Sequence, residues 1–121
     1  MAKKILFVDD SETMRELVKL TLEEVGYDVV VASDGVEGVK NMSNDYFDLL
    51  ITDLHMPNMD GVELIKKVRQ MEDYKYIPIL FLTTETKLSS KMEGKEAGAT
   101  GWLTKPFNTE KLLAVIKKVL I

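Results

Sequence analysis

The chain has 121 residues, 45% of them hydrophobic and 30% charged, with 16 Lys and Arg against 20 Asp and Glu and no cysteine. That is one domain's worth of globular sequence, able to bury a core without a staple; disulfides, thiolate metal sites and cysteine nucleophiles are excluded, and a net charge of −4 argues against a basic nucleic-acid footprint. No apolar run approaches the ~18 residues of a membrane span, and Met1-Ala2-Lys3-Lys4 leads into only four apolar residues before Asp9, too few for a signal peptide.

Ile5-Leu6-Phe7-Val8 is a continuous apolar run that stops at Asp9-Asp10 and reads as a buried strand. Met14, Leu17, Val18, Thr21, Leu22 and Val25 then recur at helical spacing, and Gly26 stands where a helix C-cap glycine belongs. Val29-Val30-Val31-Ala32 is a second, β-branched run. Ser33-Asp34-Gly35 reads as a turn, and Val36, Val39 and Met42 as a short helix. Leu49-Leu50-Ile51 is the third run, ending at Asp53, and after a loop Val62, Ile65 and Val68 mark another helix. Ile79-Leu80-Phe81-Leu82 is the fourth run, ending at Thr83-Thr84, and a weakly patterned helical segment spans about Leu88 to Ala97. Trp102-Leu103 is a short fifth strand, and Asn108 is placed to N-cap a last helix carrying Leu112, Leu113, Ile116, Val119 and Leu120.

Strand and helix thus alternate along the whole chain. Strands that are apolar throughout are covered on both faces, which is the mark of a parallel sheet between helices. Right-handed crossovers then distribute the helices over both faces. The expected fold is α/β: a doubly wound, five-stranded parallel sheet in the order 2-1-3-4-5. Residues 1–121 read as one domain, with nothing left over for an effector domain.

In open α/β sheets ligands bind beyond the carboxyl ends of the strands, at the switch point of the topology. Here that point falls between the first and third strands. Asp9 and Asp10 end the first strand, Asp53 the third, Thr83 and Thr84 the fourth, and Lys105 follows the fifth. Ser33 and Asp34 end the second strand, off to the side. Singly, these residues read as helix caps, turn formers or a solvated lysine. Together they do not, because three neighbouring carboxylates repel unless something neutralises them. A hard divalent cation does so, and Mg²⁺ takes one or two carboxylates together with phosphate oxygens.

These segments carry a family resemblance. Phe7-Val8-Asp9-Asp10-Ser11, Leu50 to Gly61, Leu82-Thr83-Thr84, Gly98 to Trp102 and Lys105-Pro106-Phe107 agree in order and spacing with the response-regulator receiver domain. Within that family the chain resembles the stand-alone chemotaxis (CheY-like) type, from about residue 4 to the end. The resemblance implies a flavodoxin-like form of the fold, with Asp53 as phosphoacceptor. It implies Mg²⁺ held by Asp10 directly, by Asp9 often through water, by Asp53, and by the backbone carbonyl of His55. Lys105 matches the lysine that pairs with the acceptor and its phosphoryl group, and Lys105–Pro106 matches a peptide that is typically cis. Thr83 matches the switch hydroxyl, Thr84 borders the phosphoryl group and is expected to partly gate it, and Trp102 matches an aromatic that swings inward on activation. The implied partners are a histidine kinase or phosphotransfer protein and a downstream protein such as a flagellar motor switch component, met by a cytoplasmic monomer. Such a protein assists its own phosphorylation and dephosphorylation but turns over no free substrate.

Some positions depart from the commonest chemotaxis pattern. Trp102 is bulkier than the usual Tyr or Phe, and His55 and Glu85 border the site at variable positions. Met56, Met59 and Met92 read as packing residues. Three other functions are weaker. The receiver portion of a DNA-binding regulator would continue beyond this length, and dimerising transcriptional receivers often carry acidic residues where Gly101-Trp102 stands. A Mg²⁺-dependent phosphatase would place a second aspartate where His55 stands. A flavin protein would not put two acids at a cofactor phosphate.

Overall fold

The computed structural model describes residues 2–120. Its strands are β1 (Lys4–Val8), β2 (Asp28–Ala32), β3 (Leu49–Thr52), β4 (Ile79–Thr83) and β5 (Gly101–Thr104). Between and after them run α1 (Glu12–Glu23), α2 (Gly35–Asn44), α3 (Gly61–Arg69), α4 (Leu88–Ala97) and α5 (Thr109–Val119). All strand pairs are parallel and the order is β2-β1-β3-β4-β5. This is the expected topology. A short 3-10 turn, Glu72–Tyr74, precedes β4 and has no counterpart in the sequence reading.

Side chains alternate across the sheet and divide the core in two. Ile5, Phe7, Leu49, Ile51, Leu80 and Leu82 meet Val18 and Leu22 of α1 and Leu112 and Ile116 of α5. Leu6, Val8, Leu50 and Phe81 meet Met42 of α2 and Leu64, Ile65 and Val68 of α3. Both faces are dry, so β3 and β4 are buried along their whole length. With every core strand gripped on two sides, the loops at the carboxyl edge are mounted on a rigid frame.

The helical stripes are narrower than their apolar residues suggested. Of the α1 stripe only Val18 and Leu22 are buried; Leu17 is exposed, and Val25 lies past the helix end and is exposed. Val36 and Met92 are also exposed, so Met92 is not a packing residue, whereas Met56 and Met59 do lie against the core. Helices that rest on a sheet bury a stripe, and residues one step off it reach solvent. Gly26, at φ 96°, follows α1 as a cap glycine would.

Candidate functional site

Strand ends place the acids. Asp9 leaves β1 with its N–H donated to the carbonyl of Ala32 (3.0 Å), and Asp53 leaves β3 with its N–H donated to that of Val8 (2.9 Å). These two bonds continue the sheet by one residue and set the two side chains next to each other. Carboxylate oxygens of Asp9, Asp10 and Asp53 all lie within 4.8 Å of one another. Asp9 is completely buried, Asp53 nearly so, and Asp10 is exposed. Acids from positions 9, 10 and 53 therefore converge in one pocket that opens to solvent on the Asp10 side.

Lys105 enters from the loop after β5. Its backbone N–H donates to the Thr83 carbonyl (2.8 Å), and the following Lys105–Pro106 peptide is cis. Its Nζ donates to Asp9 Oδ2 (2.6 Å) and to Asp53 Oδ2 (2.9 Å). The other oxygens are also held: Ser11 N–H donates to Asp9 Oδ1 (2.9 Å) and Leu54 N–H to Asp53 Oδ1 (2.7 Å). Burial pushes the Asp9 carboxyl above the usual aspartate range, and the nearby Asp53 charge adds to this, against the opposing pull of Lys105 and Ser11. Burial alone would lower Lys105, but its bonds to Asp9 and Asp53 outweigh it and hold the ammonium above the ordinary lysine value. One ammonium faces three carboxylates, so the pocket keeps an excess of negative charge. Hard oxygen donors at this spacing, on the open side of a fixed ion pair, fit a divalent cation such as Mg²⁺.

The surrounding loops close on this pocket. Thr83 is completely buried, and its Oγ1 accepts the Glu85 N–H (3.3 Å); Thr84, next in the chain, is exposed. His55 is exposed and its Nε2 lies 3.2 Å from Glu85 Oε1, a contact that joins the loop after β3 to the loop after β4. Trp102 is half-buried, with its ring centroid 4.8 Å from that of Phe81 and its Nε1–H donated to the Glu85 carbonyl (3.0 Å). Gly61 starts α3 against the Asp53 carbonyl, where an added Cβ would also meet the Phe81 ring at 2.8 Å. A side chain there would push against the Asp53 backbone.

The structure thus brings the Lys105 ammonium into contact with Asp9 and Asp53 and sets an Asp10 oxygen within 4.8 Å of theirs, while Thr83 ends β4 and Thr84 and His55 lie on the loops after β4 and β3. The end of β2, the edge strand, lies off to the side as expected, yet Asp34 beyond it reaches the loop after β3 and accepts the Asn58 Nδ2–H (2.7 Å). The sequence signal was there in Asn58, one of the few residue types that tolerate the φ of 68° it adopts.

Residues 5–117 match the family model described as the response regulator receiver domain. The chain is 41% identical to the alkaline phosphatase synthesis transcriptional regulatory protein PhoP of Bacillus subtilis, over 99% of this chain and 49% of that protein. It thus spans about half the length of that relative. It is also 41% identical to chemotaxis protein CheY1 of Helicobacter pylori, over 97% of this chain and 96% of that one. A crystal structure of the Vibrio cholerae chemotaxis protein CheY4 superposes with a TM-score of 0.96 at 48% identity, covering 99% of this chain and 100% of that one. Among the described residues, no helix is long and apolar enough to cross a membrane.

Proposed function

This chain belongs to the response-regulator receiver family, and we propose that within it Asp53 is the phosphoacceptor of a chemotaxis-type switch. The observation that carries this reading is the Lys105 ammonium shared between Asp9 and Asp53 at the rim of a three-carboxylate pocket.

An Asp53 carboxylate oxygen attacks the phosphorus of a phosphohistidine on a histidine kinase or phosphotransfer protein. The P–N bond breaks, the imidazole leaves, and an acyl phosphate forms on Asp53. A carboxylate is a weak nucleophile, so the protein's contribution is positioning and charge compensation. Lys105 remains protonated and follows the developing phosphoryl charge as a point-charge binder. Asp9, Asp10, Asp53 and the His55 backbone carbonyl would hold Mg²⁺, which supplies positive charge to the phosphoryl oxygens. Water later hydrolyses the acyl phosphate and regenerates Asp53, so the protein assists both steps and consumes no free metabolite.

The phosphoryl group adds about −1.5 to −2 charges and three acceptor oxygens. Thr83 then donates its hydroxyl to one of them and draws the β4–α4 loop inward, with Thr84 gating access. Trp102 is tied to that loop through Glu85, so the surface of α4, β5 and α5 changes with it, and a downstream protein such as a motor switch component reads the change in the cytoplasm. The test is incubation with Mg²⁺ and acetyl phosphate. Intact mass should show one phosphoryl adduct and Trp102 emission should change; both should disappear in Asp53→Asn and with chelator. An undiminished adduct in Asp53→Asn would overturn the assignment. A second reading, the receiver portion of a DNA-binding regulator, is favoured by the half-length match to PhoP. Capture of target proteins by the phosphorylated form separates the two.

A further inference from the structure

The loop after β3 carries His55 and returns to α3 through Asp60, and one of its ends is fixed from within: the Gly61 N–H donates to the Leu54 carbonyl (2.8 Å). Its outer part, Pro57 to Met59, is held by α2. Asp34 uses its two carboxylate oxygens for two tasks. Oδ1 accepts the Glu37 N–H (2.8 Å) and caps α2, and Oδ2 accepts the Asn58 Nδ2–H (2.7 Å). The neighbouring Gly35 N–H donates to the Met59 carbonyl (3.2 Å), and a Cβ at Gly35 would stand 2.6 Å from that oxygen, so α2 begins in direct contact with the loop. Asn58 is the only described non-glycine residue at positive φ, a conformation that the tie to Asp34 helps hold.

We propose that the Asp34–Asn58 bond is a positioning clamp that fixes the loop carrying the His55 carbonyl over the Asp9–Asp10–Asp53 pocket, and thereby sets the pocket's affinity for its divalent cation. The inference rests on the proposed Mg²⁺-assisted phosphoacceptor reading. Neither residue touches the pocket. Their effect passes through the loop backbone, in the way that outer hydrogen bonds orient metal ligands and raise affinity. The second strand thereby takes part in the site although its own side chains stay outside it.

The experiment uses the full chain and Mg²⁺ alone as the probe, with isothermal titration calorimetry and Trp102 emission as readouts and thermal unfolding alongside. Asn58→Gly accepts the positive φ and removes the clamp without adding charge. It should weaken Mg²⁺ binding about tenfold, the lower end of what outer partners of metal ligands contribute. The exchanged pair Asp34→Asn with Asn58→Asp offers the same two groups with donor and acceptor reversed, keeps a good helix cap, and should restore affinity to near the parent value. Asn58→Asp alone sets two carboxylates against each other and should bind weakly despite its extra negative charge. Parental affinity in Asn58→Gly would overturn the proposal, and so would failure of the exchanged pair to recover it. A parent chain that binds no Mg²⁺ would overturn this proposal and the phosphoacceptor reading together, whereas the first two results leave that reading standing.

Discussion

Lys105 is the one positive charge inside the pocket, and its removal has a defined electrostatic consequence. Asp9 is fully buried and already pushed up by burial, so without the ammonium its ionised form has only the Ser11 N–H and Asp53's repulsion for company. Breaking a buried pair by deleting one partner leaves an uncompensated charge. Lys105→Met should therefore lose about 3 kcal/mol at neutral pH in chelator, read by urea unfolding. The loss should shrink as pH falls toward the raised Asp9 value, because a protonated Asp9 no longer needs a compensating charge. In the parent the same lysine is held above its ordinary value. Its stabilising contribution is complete below the ordinary lysine pKa and is lost only as pH rises through the raised value. A variant whose deficit is the same at acidic and neutral pH would contradict this assignment of charge. At this scale the sequence was most informative about the acids and the lysine, because strand ends in a parallel sheet leave little freedom over where they point. It was silent on Asp34, whose carboxylate looks like an ordinary cap until the loop after β3 is seen against it.

Helices differ in how firmly they are attached, and the difference follows from their residues. α2 is capped by Asp34, whose carboxyl lies below the usual aspartate range because the Glu37 N–H, then the Asn58 amide, stabilise its charged form. A depressed carboxylate stabilises the fold above its unfolded pKa and loses that contribution as pH falls through the folded value. Asp34→Ala should accordingly cost about 1 kcal/mol at neutral pH, and the parent and variant curves should converge in acid when denaturant midpoints are measured across pH. α4 is the opposite case. Its Leu88 and Met92 face solvent, Gly94 is its only buried residue, and Lys87 gives it no side-chain cap. What holds it is Gly94 seated on Phe81 and Trp102, and the Glu85 carboxylate accepting the Thr86 and Lys87 N–H groups (3.0 and 3.2 Å). Few buried apolar contacts mean a low local opening free energy. Hydrogen exchange should show residues 84–98 exchanging faster than any other helix with its preceding loop, and α3 should be among the slowest. The weak apolar pattern of this segment in the sequence is thus a physical property of the helix. The 3-10 turn at Glu72–Tyr74 escaped notice for a different reason: besides the nearby Arg69, which donates to the Tyr74 carbonyl (2.9 Å), it is anchored by the Tyr74 hydroxyl donating to the distant Asp45 carbonyl (2.6 Å), which no local pattern encodes.

For the molecule as a whole, the decisive fact is that the pocket exists only in the folded chain. Asp9 and Asp10 follow β1 and Asp53 follows β3, and their meeting depends on the parallel β1–β3 pairing from Ile5↔Leu49 to Val8↔Thr52. Alternating apolar runs and helical stripes made that topology legible, since only a doubly wound order puts consecutive parallel strands between two helical layers. An unfolded chain separates Asp53 from the adjacent Asp9 and Asp10 by tens of residues and offers a cation no comparable site. A ligand that binds only the native state adds RT ln(1 + [L]/Kd) to stability, about 2.7 kcal/mol at a hundredfold excess over Kd. Mg²⁺ should therefore raise the unfolding midpoint logarithmically with concentration, while NaCl at matched ionic strength should only screen the acids and produce a smaller rise that saturates. Asp10→Asn tests where the increment originates. Asp10 is exposed, so in chelator this variant should unfold close to the parent, yet it removes one of three carboxylates from the pocket and should lose most of the Mg²⁺-dependent rise. If Asp10→Asn keeps the full rise, the cation binds elsewhere on a chain of net charge −4, and the pocket is not the source of the linkage.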